Sequence, residues 1–89
     1  MNLKNKKILI TGATGGIGNS LVKKFSNFGS LIVATGTNDE KLNNLKRNYP
    51  EIYIEKFKLD EHDKIENFVE NIDKKLDGLD ILVNNAGIT

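Results

Sequence analysis

Residues 8–18 read ILITGATGGIG, an apolar run that passes directly into a glycine-rich turn. The run carries no polar alternation, which is typical of a strand buried on both faces. After the turn, apolar residues recur at helical spacing at Ile17, Leu21, Phe25 and Phe28. A strand, a glycine turn and a helix in this order bring free backbone N–H groups and the positive end of a helix dipole to one point. This stretch therefore predicts a βα unit that binds a phosphate group.

The spacing of the glycines, T-G-x-x-x-G-x-G over residues 11–18, excludes two common phosphate-binding motifs. A P-loop would need a lysine in place of Asn19 and a glycine in place of Ala13. The spacing G-x-G-x-x-G also fails, because Leu21 stands where its third glycine belongs. The structural alternative is a glycine turn without a ligand, and the strand–turn–helix context argues against it.

Three further strand-like runs alternate with two further helical patterns along the chain. The runs cover residues 31–34, 52–59 and 81–83. The apolar residues at helical spacing are Leu42 and Leu45 in the first pattern, and Ile65, Phe68, Val69, Ile72 and Leu76 in the second. Gly29 and Gly78 are predicted to end the first and last helices, and Thr37 with Glu40 forms a capping-box pattern before the middle one.

The order βαβαβαβ predicts an α/β fold of the Rossmann type, a doubly wound parallel sheet with helices on both faces. The chain accounts for the first half of such a sheet, with the strand order 3-2-1-4. Run 52–59 suits an edge strand, because Lys56 and Lys58 would face solvent while Tyr53 packs in the sheet. Run 81–83 carries no protective charge or proline, so we expect a further strand beside it.

The composition is that of an ordinary globular domain, with 38% hydrophobic and 28% charged residues among 89. The formal net charge of +1 supplies no basic surface for nucleic acid or an anionic membrane. No apolar run is long enough for a membrane span or a secretion signal. The absence of cysteine excludes disulfides, thiolate nucleophiles and cysteine zinc sites, and a cytoplasmic location is expected.

Three motifs together resemble the classical short-chain dehydrogenases/reductases. They are the glycine turn with Gly12, Gly16 and Gly18, then Asp60, and then residues 84–87, which read NNAG. Residues 84–89, NNAGIT, further resemble the bacterial 3-oxoacyl-[acyl-carrier-protein] reductases of fatty-acid biosynthesis. The resemblance covers the whole chain. It implies that residues 1–89 are the N-terminal part of a single NAD(P)-binding Rossmann domain, truncated after the fourth strand.

The resemblance also assigns cofactor-binding roles to the glycine turn and to three later segments. The turn would hold the phosphates and the adenosine ribose, Asp60 the adenine amino group, and the backbone of Glu61 the adenine ring. Asn85, Ala86 and Gly87 would line the ribose side. The full set is Gly12, Ala13, Thr14, Gly15, Gly16, Ile17, Gly18, Thr37, Asp60, Glu61, Asn85, Ala86 and Gly87. Asp60 is alternatively the N-cap of the next helix, and Asn84 and Asn85 are alternatively hydrogen-bonding groups at a strand end.

The end of the second apolar run bears on the choice between NADP(H) and NAD(H). NAD-preferring sites place an acidic residue there, and this chain has Gly36 and Thr37 instead. A 2′-phosphate would meet no repulsion and could bond the Thr37 hydroxyl, so NADP(H) is predicted. NAD(H) stays open, because Gly15 stands where many NADP(H)-using relatives carry arginine or lysine. Asp39 and Glu40 lie nearby, at positions that suit the start of a helix.

The catalytic residues of the family are absent from this chain, so no catalytic residue is assigned. The family uses a Tyr-x-x-x-Lys pair and a serine that follow the NNAG motif. Tyr49 and Tyr53 have no lysine four residues on, and are interpreted as a loop residue and a strand-packing residue. His62 stands alone among carboxylates, which is typical of a solvated helix start rather than a metal site.

The leading hypothesis is the cofactor-binding half of an NADP(H)-dependent oxidoreductase that reduces an acyl-carrier-protein-linked 3-oxoacyl group. A short-chain dehydrogenase acting on a sugar, a steroid or a small alcohol is one alternative, and a non-catalytic nucleotide-binding module is another. The fragment alone is expected to be inactive. In the complete enzyme the resemblance implies a homo-oligomer, commonly a tetramer. The charge balance and the short apolar runs predict no nucleic-acid or membrane partner.

Overall fold

A computed structural model describes residues 3–57 and 62–85, apart from the side chains of residues 62, 63 and 65. The described elements follow the predicted order. They are β1 (Lys7–Thr11), α1 (Gly16–Asn27), β2 (Leu31–Gly36), α2 (Asp39–Asn48), β3 (Tyr53–Lys56), α3 (His62–Leu76) and β4 (Ile81–Asn84).

The strands form one parallel sheet in the order β3-β2-β1-β4, as predicted. Ile8 of β1 lies beside Ile32 of β2 on one side and Ile81 of β4 on the other. Because the strands are parallel, their carboxyl ends meet at one edge of the sheet. The glycine turn after β1, the segment after β2 and Asn85 after β4 therefore lie at that common edge.

Helices cover both faces of the sheet, which confirms a doubly wound arrangement. On one face, Ile8 and Ile10 pack with Val22 of α1 and Leu45 of α2 in a fully buried cluster. On the other face, Leu9 packs with Val33 and with Ile72 of α3. The alternation of β1 side chains between two covered faces explains why its sequence is continuously apolar.

The helix ends agree with the sequence except at α2. Gly29 follows α1 with a φ of +78°, and Gly78 follows α3 with a φ of +113°, the left-handed backbone that favours glycine. The N-cap of α2 is Asn38, and the capping box predicted at Thr37 is wrong by one residue. The amide side chain of Asn38 accepts a hydrogen bond from the Lys41 N–H over 3.0 Å, which satisfies one of the free donors of the first turn.

Several apolar residues are more exposed to solvent than their pattern predicts. Ile17 is 62% exposed at the start of α1, and Phe28 is exposed just after its end, so only the middle of the predicted stripe faces the core. Tyr49 caps the C-terminus of α2 and packs on the core, although the sequence indicated a loop residue. Tyr53 is 56% exposed rather than packed in the sheet, since its ring lies at the open edge, 5.9 Å from Lys46 Nζ.

The two outer strands differ from each other as the sequence predicted. In the described part of the chain, β3 pairs with β2 alone and carries Lys56 facing solvent, while the predicted Lys58 lies outside the described residues. Within the same described residues, β4 pairs with β1 alone and leaves Leu82 47% exposed. A further strand beside β4 stays a prediction. Among the described residues, no helix is long and apolar enough to cross a membrane.

Candidate nucleotide-binding site

The glycine turn begins at the carboxyl end of β1 and closes on itself before α1. Gly12 has a φ of +61°, a conformation that an L side chain rarely adopts. Its carbonyl oxygen accepts a hydrogen bond from the Gly15 N–H over 3.4 Å, and the first helical bond runs from the Asn19 N–H to the Gly15 carbonyl over 2.8 Å. The chain therefore reverses within a few residues and starts the helix directly above the strand.

Gly18 is the glycine that the packing of the turn requires. A Cβ atom at Gly18 would lie 2.4 Å from the carbonyl oxygen of Gly12 and 2.6 Å from the Cα of Ala13. Both neighbours are backbone atoms, which cannot move aside as a side chain can. The lack of a side chain at Gly18 lets the first turn of α1 pack against the turn that precedes it.

Gly15 and Gly16 are under no such constraint from the protein. A Cβ at Gly16 would meet no atom within 4 Å, and one at Gly15 would make an ordinary contact with the Gly12 carbonyl oxygen at 3.7 Å. At these two positions the turn offers backbone alone to a group that approaches from outside.

The first turn of α1 presents donors that no side chain occupies. The N-cap is Gly15, which makes no side-chain capping bond, and the first turn contains no acidic residue. The N–H groups of Gly16, Ile17 and Gly18 precede Asn19, the first residue whose N–H donates within the helix, so the helix itself leaves them without partners. Together with the helix dipole, they favour an anion at this point.

A buried hydrogen-bond network joins the glycine turn to the end of β4. The hydroxyl of Thr11 accepts from the Asn85 N–H over 3.0 Å and lies 3.1 Å from the side-chain oxygen of Asn84, to which it donates. The side-chain amide of Asn85 donates to the Gly12 carbonyl over 3.1 Å. Thr11 and Asn85 are both buried. Asn84 and Asn85 thus make the strand-end bonds that were one interpretation of the NNAG motif.

The glycine turn is also joined to the end of β2. The Ala13 N–H donates to the carbonyl of Thr35 over 2.8 Å. A Cβ at Gly36 would lie only 3.0 Å from Cγ2 and 3.2 Å from Oγ1 of Thr14, so Thr14 fills the space that a side chain at Gly36 would need. Thr37 follows as an exposed residue. The segment predicted to choose between the cofactors therefore lies directly beside the turn predicted to hold the phosphates.

The structure brings together the predicted site residues that it describes. Gly12 to Gly18, Thr37 and Asn85 all lie at the carboxyl edge of the sheet. The remaining predicted residues lie outside the described residues: Asp60, Glu61, Ala86 and Gly87. The sequence interpretation missed the positioning role of Thr11. A polar residue as the last member of an otherwise apolar buried strand was the available indication, because a buried hydroxyl needs partners.

No metal site is present among the residues that the structure describes. No group of three or more His, Asp or Glu side chains there is placed to hold a metal ion. The two tyrosines are equally unsuited to the predicted family chemistry, since Tyr49 packs on the core and Tyr53 starts the edge strand, away from the carboxyl edge.

The family model described as short chain dehydrogenase matches residues 6–89 of the chain. The chain therefore belongs to the short-chain dehydrogenase family, a family of oxidoreductases, which confirms the resemblance seen in its motifs. A solved structure of a short chain dehydrogenase from Bacillus anthracis superimposes with a TM-score of 0.82 at 31% identity, covering 96% of this chain and 36% of that protein.

The similar curated proteins include reductases and a dehydrogenase. The chain is 41% identical to a 3-oxoacyl-[acyl-carrier-protein] reductase FabG from Rickettsia bellii and 36% identical to one from Aquifex aeolicus, over its whole length. It is also 38% identical to a 3alpha-hydroxysteroid dehydrogenase from Mediterraneibacter gnavus, again over its whole length. The chain spans 36% to 38% of the length of these three relatives.

Proposed function

We propose that this chain is the cofactor-binding part of an NADP(H)-dependent oxidoreductase that reduces a ketone to an alcohol. The observation that carries the proposal is the first turn of α1, whose N–H groups open onto the glycine turn without a capping side chain or an acidic residue. A pyrophosphate fits this place, because Gly15 and Gly16 leave the approach clear and the helix terminus favours negative charge.

The nicotinamide cofactor, when bound, would supply the hydride. The residues of this chain would bind and orient it. The backbone from Gly12 to Gly18 would hold the phosphates, Thr14 would add a hydroxyl, and Asn85 would keep the turn in register with β4 through its bond to Gly12. Asp60, Glu61, Ala86 and Gly87 keep their proposed contacts to adenine and ribose on the strength of the family motif alone.

The preference for NADP(H) rests on the charges after β2. The strand ends at Gly36, and the exposed Thr37 and the capping Asn38 that follow it are uncharged. Asp39 belongs to the first turn of α2, and its carboxylate lies 3.1 Å from Lys56 Nζ. Asp39, the first acidic residue after the strand end along the chain, is therefore balanced by a cation. This arrangement favours a 2′-phosphate over the free 2′-hydroxyl that an acidic residue would bind.

The substrate class is proposed from the relatives. Several relatives named 3-oxoacyl-[acyl-carrier-protein] reductase support a 3-oxoacyl thioester, and the NNAGIT ending of the chain agrees with them. A steroid or another alcohol is the second candidate, which the 38% identity to the hydroxysteroid dehydrogenase supports. We further propose that residues 1–89 are part of one Rossmann domain in a cytoplasmic homo-oligomer. The serine, tyrosine and lysine of catalysis would follow residue 89, so these residues alone would be inactive.

Two measurements test the proposal. Titration of the protein that carries this chain with NADPH and with NADH, followed by nicotinamide fluorescence, is expected to give tighter binding of NADPH. Equal affinities would contradict the preference, and no binding of either would contradict the nucleotide site. The longer protein that carries this chain and the catalytic residues should also oxidise NADPH in the presence of a 3-oxoacyl thioester. Turnover with a 3-oxosteroid alone would favour the second candidate.

A further inference from the structure

Lys56 ends β3 beside the proposed cofactor site. In the register of the sheet it lies next to Gly36, the last residue of β2. Its side chain reaches over the connection from β2 to α2, where Nζ lies 3.1 Å from Oδ2 of Asp39, the first residue of α2. The ammonium group therefore lies beside the segment 37–39, which is the segment that a cofactor's 2′ position would face under the proposed function.

The ammonium group of Lys56 is free to change partners. The Lys56 and Asp39 side chains are 60% and 68% exposed, and an ion pair between two such side chains contributes little to stability. Lys46, on the neighbouring helix, is held more firmly, because its Nζ donates to the carbonyls of both Pro50 and Ile52. Of these two lysines, Lys56 is the one that a stronger anion can draw away from its present partner.

We propose that Lys56 is the cation that binds the 2′-phosphate of NADP(H), and that Asp39 releases it on binding. The assignment rests on the proposed function. Lys56 supplies a positive charge that the glycine turn and the segment after β2 both lack. Gly15 carries no side chain, and residues 37–40 include no lysine or arginine. A lysine ammonium is a compact point charge that suits a phosphate dianion.

The ion pair with Asp39 gives this arrangement a means of discrimination. With NAD(H), which has no 2′-phosphate, Lys56 gains nothing by leaving Asp39. With NADP(H), the lysine exchanges a carboxylate for a doubly charged phosphate. Asp39 therefore competes with the ligand for Lys56, and removing its charge strengthens binding of the phosphate form alone.

The test uses two probes that differ only in the 2′-phosphate, 2′,5′-ADP and 5′-AMP, in calorimetric titrations of the protein that carries this chain. Lys56→Gln is expected to weaken 2′,5′-ADP roughly tenfold and to leave 5′-AMP within about twofold. Lys56→Arg is expected to retain most of the affinity, and Asp39→Asn to tighten 2′,5′-ADP. Thermal unfolding of each variant, recorded alongside, identifies any that fail to fold.

Lys75→Gln is the matched control. Lys75 lies on α3, on the other face of the sheet, and forms a similar exposed ion pair with Glu55 over 2.8 Å. It is expected to change neither affinity. Lys41→Gln tests a second lysine near the segment 37–39, one that lies in the first turn of α2. If Lys41→Gln removes the discrimination and Lys56→Gln does not, the assignment to Lys56 is overturned.

The remaining outcomes separate this inference from the proposed function. A wild-type protein that binds both probes equally overturns the preference for NADP(H), and the role of Lys56 with it. A wild-type protein that prefers 2′,5′-ADP, combined with a Lys56→Gln variant of unchanged preference, overturns the role of Lys56 and leaves the proposed function standing. A uniform loss of affinity for both probes in a folded Lys56→Gln variant also contradicts the assignment, because the effect would not depend on the 2′-phosphate.

Discussion

The side-chain amide of Asn85 donates a hydrogen bond to the carbonyl oxygen of Gly12 over 3.1 Å. This bond joins residues from opposite ends of the chain, because Asn85 follows β4 and Gly12 follows β1. Thr11 completes the link by accepting from the Asn85 N–H. The glycine turn is therefore held in place by β1, which precedes it, and by β4, which pairs with β1.

Replacement of Thr11 by valine is expected to destabilise the protein. The substitution keeps the shape of the side chain and leaves the buried Asn85 N–H without its acceptor, at a cost of about 1–3 kcal/mol in the free energy of unfolding. Urea denaturation measures the change. Thr37→Val is the matched control, since Thr37 is exposed and its loss should change stability by less than about 0.5 kcal/mol. Equal losses in the two variants would refute the role of the buried network.

The two glycines at the start of α1 are expected to respond oppositely to alanine. Alanine is the better helix former, by about 1 kcal/mol in a helix interior. At Gly18 that gain is outweighed, because the added Cβ would lie 2.4 Å from the Gly12 carbonyl oxygen, and a net loss of about 1–3 kcal/mol is expected. At Gly16 the Cβ meets open space, so the gain should remain.

Denaturation of both glycine variants, together with NADPH titration, checks this contrast. Gly16→Ala is expected to fold at least as stably as the wild type and yet to bind NADPH more weakly, because its methyl group would occupy the proposed approach of the pyrophosphate. Gly18→Ala should lose stability and binding together. A Gly16→Ala protein with undiminished affinity would contradict an approach of the pyrophosphate to the backbone at Gly16.

The sequence was sufficient to predict every described strand and helix and the order of the strands. Continuous apolar runs such as residues 8–10 have one common explanation in an alternating α/β chain, a strand covered on both faces. The place of β3 at one side of the sheet was also predictable, because a lysine at position 56 faces solvent only on an outer strand. The site followed from the same logic, since the carboxyl ends of parallel strands meet at one edge.

Other features depend on distances in space that no local pattern contains. Nothing near Thr11 in the sequence indicates its bond to Asn85, and nothing near Gly36 indicates its contact with Thr14. The exposure of Tyr53 was missed for a similar reason, since a tyrosine in a strand packs inward only where a neighbouring element covers it. The Lys56–Asp39 pair likewise arises from register, because the two residues belong to different elements.

Asn38→Ala tests the corrected start of α2. Loss of the side-chain oxygen that accepts from the Lys41 N–H should cost about 1 kcal/mol in the free energy of unfolding. Thr37→Ala should cost far less, because Thr37 precedes the cap and makes no capping bond to α2. Urea denaturation of the pair compares the two positions directly. A larger loss for Thr37→Ala than for Asn38→Ala would restore the capping box that the sequence indicated.

Gly36 and Thr14 are expected to be energetically coupled across the site. In the wild-type background, Gly36→Ala would bring its Cβ to 3.0 Å from Thr14 Cγ2, so a loss of about 1 kcal/mol in stability and a displaced Thr14 hydroxyl are expected. In a Thr14→Ala background the obstructing atoms are gone. The same substitution should then be neutral or slightly stabilising, because alanine restricts the unfolded chain more than glycine does.

A double-mutant cycle built from urea denaturation should therefore give a coupling energy of about 1 kcal/mol between Gly36→Ala and Thr14→Ala. NADPH titration of the four proteins should show the affinity loss of Gly36→Ala only when Thr14 is present. Equal costs in both backgrounds would mean that Thr14 moves aside freely and does not set the position of the strand end.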